Sequence, residues 1–101
     1  MPPYSLHTPP EVSLEMASRL KRLRLDREWK QSTLADRAGV SLGSLRRFES
    51  SGRVSLQNLL RLAFALGRLD ELLGLFEPPP ARTLDELEAL QSPTMRQRGR
   101  R

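Results

Sequence analysis

The sequence predicts an all-α fold, and three observations carry that prediction. Leucines are many and aromatics few, at 5% of residues, which suits a leucine-cored helical domain. Apolar residues recur at helical spacing in successive short segments. Between those segments stand residues that close and open helices: Gly39 before Ser41, Gly52 before Ser55, then Gly67. At 101 residues and 38% hydrophobic content, the chain holds one small domain at most.

The elements follow in chain order. Residues 1–10 hold four prolines and are expected to form a flexible N-terminal segment. A first helix is predicted from about 11 to 28, with Met16, Leu20 and Leu23 at helical spacing and Trp29 just past its end. A second, about 31–38, buries Leu34, Ala35 and Ala38; Gly39 closes it, because a left-handed closing residue costs glycine least. Ser41 caps a third, about 42–50, with Leu45 and Phe48 inward, and Gly52 ends it. Ser55 caps a fourth, about 56–67, rich in Leu59, Leu60, Ala63 and Leu66. Residues 69–76 form a short fifth, stopped by Pro78, Pro79 and Pro80. The domain is therefore expected over residues 11–76. A Pro-rich linker and short helical extension follow over 77–91, with Thr83 capping "LDELEALQ". Residues 92–101, ending "RQRGRR", are expected to be a disordered basic tail.

Composition excludes several function classes. Without cysteine there is no disulfide framework and no thiolate ligand, and a reducing cytoplasm is compatible. No run of about 18 apolar residues is present to span a membrane, so no membrane partner is expected. The opening "MPPYSLHTPP" lacks the basic end and apolar stretch of a secretory signal. His7 is the only histidine and lies among prolines, so no nucleophile–base arrangement or metal site assembles around it. Asp85, Glu86 and Glu88 read as a solvated helix face, and "GVSLG" is not a nucleotide-phosphate loop. The expectation is a non-enzyme with no cofactor and no metal.

The net charge of +5 is unevenly placed. Residues 19–53 carry ten basic and four acidic groups, residues 77–95 carry −3, and the last six carry +4. Such a distribution fits either a polyanion partner or a solvated face.

The basic excess coincides with "QSTLADRAGVSLGSLRRFE", residues 31–49, which reads as helix, three-residue turn, helix. The break lets the second helix project, its inner face Leu45 and Phe48, its outer face Gly43, Ser44, Arg46 and Arg47. A DNA major groove admits one helix, and arginine there bonds guanine edges or phosphates. The spacing also fits an ordinary turn in a helical bundle.

Gln31, Leu34, Ala35, Gly39, Val40, Ser41, Ser44, Leu45, Phe48, Glu49 and Gly52 stand as they do in the Xre, or Cro/cI-type, helix-turn-helix. The chain resembles that family over roughly residues 12–76, with the core signature at 31–52. The resemblance implies a compact five-helix domain and double-stranded operator DNA as partner. Within the superfamily, "EWKQSTLADRAGVSLGSLRRFE" with "SLQNLLRLAFALGRLDELLGLFEPPP" and a basic end is most similar to HipB-like regulators, encoded beside HipA-type kinase toxins. That similarity implies an autoregulatory repressor in a toxin–antitoxin operon, a homodimer, a kinase-toxin partner or associated subunit, and a cytoplasmic, nucleoid-associated location.

Site residues implied by the resemblance are these. Gln31, at the start of the second helix, bonds a phosphate or braces the recognition helix, with Ser32 beside it. Ser41, Leu42, Gly43 and Ser44 lead the recognition helix; Leu42 and Gly43 replace polar residues common in the family. Leu42 suits a thymine methyl, and Gly43 a close backbone approach. Arg46 and Arg47 become readers or clamps, Arg47 the better placed for bases. Arg53, with the Ser55 amides, suits a phosphate. Lys30 stands where the family caps the second helix with serine or threonine; it either reaches a phosphate or is idle. Arg24 and Glu49 match a partly buried structural ion pair.

A runner-up of another class is a protein-interaction adaptor. Leu69, Leu72, Leu73, Leu75 and Phe76, then Leu84, Leu87 and Leu90, are many apolar groups for so short a region. They either close the core or form a homodimer seam or toxin-binding surface. Salt separates the two classes, since DNA binding weakens steeply as salt rises and apolar docking does not. The arginine tail suits DNA phosphates or an acidic partner surface alike.

Overall fold

The computed structural model describes residues 7–80. They form five helices: α1 (Pro9–Asp26), α2 (Gln31–Ala38), α3 (Leu42–Ser51), α4 (Leu56–Ala65) and α5 (Leu69–Leu73). The helix expected from Thr83, the leucines at 84, 87 and 90, and the basic tail lie outside the described residues, as do residues 1–6.

α1 begins two residues before the predicted start. Thr8 and Glu11 form a reciprocal capping box: the Glu11 amide donates to Thr8 Oγ1 at 3.4 Å, and the Thr8 amide donates to Glu11 Oε1 at 2.9 Å. Pro9 and Pro10, expected to keep the segment loose, instead occupy the first turn. Proline is suited there, because the missing N–H would have had no partner and its φ is already helical. α1 also stops earlier than predicted, at Asp26. The Arg24 carbonyl accepts from the amides of Arg27 and Trp29, and Glu28 turns to φ 58° between them. α4 ends at Ala65 rather than 67, with Leu66 and Gly67 completing a tight turn.

The largest difference is α5. The predicted helix over 69–76 closes after Leu73, and Phe76 sits at φ 67° and is 99% exposed. Gly74 weakens helix continuation, and Pro78 biases the residue before it away from helical dihedrals. No residue of α5 is fully buried, so no packing opposes that early end.

The core is a single cluster. Phe48, Leu34, Leu45, Leu62 and Leu66 are its most deeply buried members, with Ala17, Leu20, Ala35 and Val40 around them. Met16, Leu23, Trp29, Ala38 and Leu59 pack at its edge. α3 packs on α1 and α2, α2 on α4, and α4 on α5. Two glycines show how the frame is set. Gly39 closes α2 at φ +70°, and a Cβ there would meet nothing within 4 Å. Gly52 closes α3 at φ +80°, and a Cβ there would lie 2.9 Å from the Ser13 carbonyl carbon. The end of α3 is thus seated directly on the α1 backbone, which only glycine permits. No described helix is long and apolar enough to cross a membrane.

Candidate nucleic-acid interface

The orientation of α3 is fixed from inside. Arg24 on α1 is buried, and its guanidinium meets the Glu49 carboxylate in a two-pronged pair: Nε to Oε2 at 2.8 Å and Nη2 to Oε1 at 3.0 Å. Its third nitrogen, Nη1, donates to the Trp29 carbonyl at 2.8 Å. Gln31 Nε2 donates to Glu49 Oε1 at 2.9 Å. One carboxylate therefore ties the end of α3 to α1 and to the start of α2. A planar guanidinium matches a carboxylate in this way, and charged partners strengthen each bond. Among the described residues, no buried side-chain nitrogen or oxygen lacks a partner. The Gln31 side chain is thus committed inside the protein.

Glu49 is the only acidic residue of α3, and it is turned inward and paired. What remains outward is cationic or neutral. Gly43, Arg46 and Arg47 share one face at helical spacing, and all three are exposed. Neither arginine forms an ion pair among the described residues. Inward, Leu45 and Phe48 are fully buried.

The first turn of α3 is occupied with itself. Ser41 Oγ accepts from the Ser44 amide at 3.1 Å and donates to Ser44 Oγ at 2.8 Å. Leu42 is half-buried and packs against the core edge, so only part of it faces out. A Cβ at Gly43 would meet nothing within 4 Å, so the helix is bare backbone at that point. Polar side-chain chemistry on this face is concentrated at Arg46 and Arg47.

Two flanks carry further basic groups. Lys30 occupies the N-cap of α2, is exposed, and makes no capping hydrogen bond; Ser32 beside it is exposed in the first turn. Arg53 follows the close of α3, exposed, its amide donating to Ser51 Oγ at 3.2 Å. Ser55 caps α4 by accepting from the Asn58 amide at 3.1 Å.

One feature escapes the sequence reading. Arg27 and Arg37 both lie over the Trp29 ring, 5.5 and 4.5 Å from its centroid. Arg27 Nη2 also donates to the Leu66 carbonyl at 2.8 Å, joining the end of α1 to the end of α4. Cation–π stacking of this kind braces the α1–α2 turn that carries Lys30. Arg27 beside Trp29 is visible in the chain; Arg37 arrives only through the path of α2.

The predicted C-terminal apolar residues divide in the structure. Leu72 is half-buried, whereas Leu69, Leu73, Leu75 and Phe76 are exposed.

No curated protein matches the chain. A family model described as Helix-turn-helix matches residues 20–72, just over half of the chain, from the middle of α1 into α5. Its members are DNA-binding transcription regulators rather than typical enzymes. The matched span contains the α2–turn–α3 unit and the buried Arg24–Glu49–Gln31 brace, and the chain belongs to the helix-turn-helix family of the Xre/Cro type.

Proposed function

We propose that this protein is an operator-specific repressor that binds as a homodimer, α3 of each copy entering the major groove at half-sites about one helical turn apart. The observation that carries the reading is the outer face of α3. Its one carboxylate is buried and paired, and Arg46 and Arg47 stand exposed beside bare backbone at Gly43. In this reading Arg47 reads base edges and Arg46 reads or clamps. Ser41, Leu42, Gly43 and Ser44 form the closely approaching first turn. Gln31 braces α3 through Glu49, while Lys30 and Ser32 at the start of α2, and Arg53 with the Ser55 amide, meet phosphates. The DNA-binding unit is residues 11–76.

The test is a site-selection experiment on the wild-type chain, then titration of the selected duplex with the Arg46→Ala, Arg47→Ala double variant. Each lost base contact costs roughly 1–3 kcal/mol, so specific binding should vanish while the melting temperature holds. A folded double variant with wild-type operator affinity would remove α3 as the reading helix.

The similarity to HipB-like sequences supports a narrower role, autorepression of a toxin–antitoxin operon in the cytoplasm with a HipA-family kinase as partner. The exposed Leu69, Leu73 and Phe76 favour such an apolar partner or a second copy. A chain acting mainly as an adaptor would bind that kinase with little salt dependence and bind no duplex selectively.

A further inference from the structure

An apolar groove of about 310 Å³ runs between α1, α4 and α5, on residues the DNA reading does not use. Met16, Leu20 and Leu23 line one wall, Leu59 the floor side, and Leu72 and Leu75 the other wall. Arg19, Arg68 and the single acid Glu71 stand at its rim. Leu75 is 53% exposed, so this wall is open to an occupant.

We propose that residues 83–91 of this same chain occupy the groove, with Leu84, Leu87 and Leu90 inserted between α1 and α5. Three observations carry the assignment. The first is pattern: Leu84, Leu87 and Leu90 recur every three residues, so a helical segment presents them as one stripe to a groove lined by leucine and methionine. The second is charge. The segment carries Asp85, Glu86 and Glu88 and no basic residue, while the groove rim carries two bases, Arg19 and Arg68, against one acid, Glu71. Those arginines now pair only with Glu15 and Glu71 on their own exposed surfaces, and such pairs exchange at little cost. The third is reach. Leu75 lines the groove and Leu84 follows it by nine residues, a span of up to roughly 30 Å that covers a groove beginning at Leu75 itself. A short connection of this kind holds its end at an effective concentration on the order of millimolar, which favours the same chain over a free partner.

The inference divides the C-terminal leucines between two tasks. Leu72 and Leu75 receive the chain's own segment. Leu69, Leu73 and Phe76, which do not line the groove, remain exposed for a second copy or a partner. The proposal does not depend on the DNA reading, and its test uses no DNA.

The native chain has no cysteine, so one spin label can be placed without background. Glu86→Cys in the full chain, spin-labelled and isotopically labelled, is measured by NMR with and without an excess of unlabelled wild-type chain. Docking within the chain predicts loss of the Met16 methyl signal and of the Leu59 and Leu72 amide signals, unchanged by the excess. Adding Leu84→Glu and Leu87→Glu should restore those signals. Signals lost alone but recovered in the excess would mean that the segment sits on a second copy, which overturns the proposal. Signals that are never lost overturn it equally.

Discussion

α3 and α5 are short helices of one small domain, yet they are held in opposite ways. α3 buries Leu45 and Phe48, seats its end on the α1 backbone at Gly52, and is bonded through Glu49 to two other elements. α5 buries nothing fully, spans five residues, and leaves Leu73 79% exposed, with Phe76 just beyond it 99% exposed. A helix that must present a surface at a fixed angle needs more supports than its own length supplies. The interior places its polar bonds beneath the face expected to meet DNA, whereas α5 is left with exposed apolar side chains, as are Leu56 and Phe64 of α4.

Breaking the α3 support should have the largest effect. Arg24→Ala strands the buried Glu49 carboxylate, and losing one member of a buried pair costs about 3–5 kcal/mol. Urea unfolding should show that loss, with operator binding falling alongside it. A change below about 1 kcal/mol would mean that α3 is held by apolar packing alone.

The next effect is smaller and has an internal control. Gly52→Ala places a Cβ against the Ser13 backbone in a left-handed conformation, and should cost about 2–4 kcal/mol. Gly39→Ala meets open space at nearly the same φ and should cost only about 1–2 kcal/mol. Equal losses in thermal melts would deny the close approach of α3 to α1.

α5 should show the smallest effect on folding. Leu73→Glu with Phe76→Glu should change monomer stability by no more than about 0.5 kcal/mol each, since both side chains are exposed. Sedimentation should nonetheless shift from dimer to monomer, and operator affinity should fall. A destabilised monomer would place these side chains in the fold and erase the contrast with α3.

Much of the frame was legible because it is local. Ser41 and Ser55 cap the helices they precede, and Gly39 and Gly52 close theirs, each through contacts within a few residues. The same local logic misreads Pro9 and Pro10, since proline loosens a segment or begins a helix depending on whether a cap stands before it. It overextends α5, because a leucine-rich run reads as helix whether or not anything packs on it. For the candidate site, the exposed face with Gly43, Arg46 and Arg47 follows from helical spacing. The pairing of Arg24 with Glu49 came into view through family resemblance, since 25 residues separate the two and no periodicity links them.

The sequence by itself determined the helix count over the described residues, the Ser41 and Ser55 caps, and which side of α3 is apolar, because propensity, capping and period act within one or two turns. Tertiary structure alone decided that Gln31 turns inward, that Arg37 lies on Trp29, and that Arg24 reaches the Trp29 carbonyl. Each of those depends on the path of the chain between distant residues. A guanidinium or an amide is satisfied by whatever the fold brings within about 3 Å, not by what precedes it in the chain.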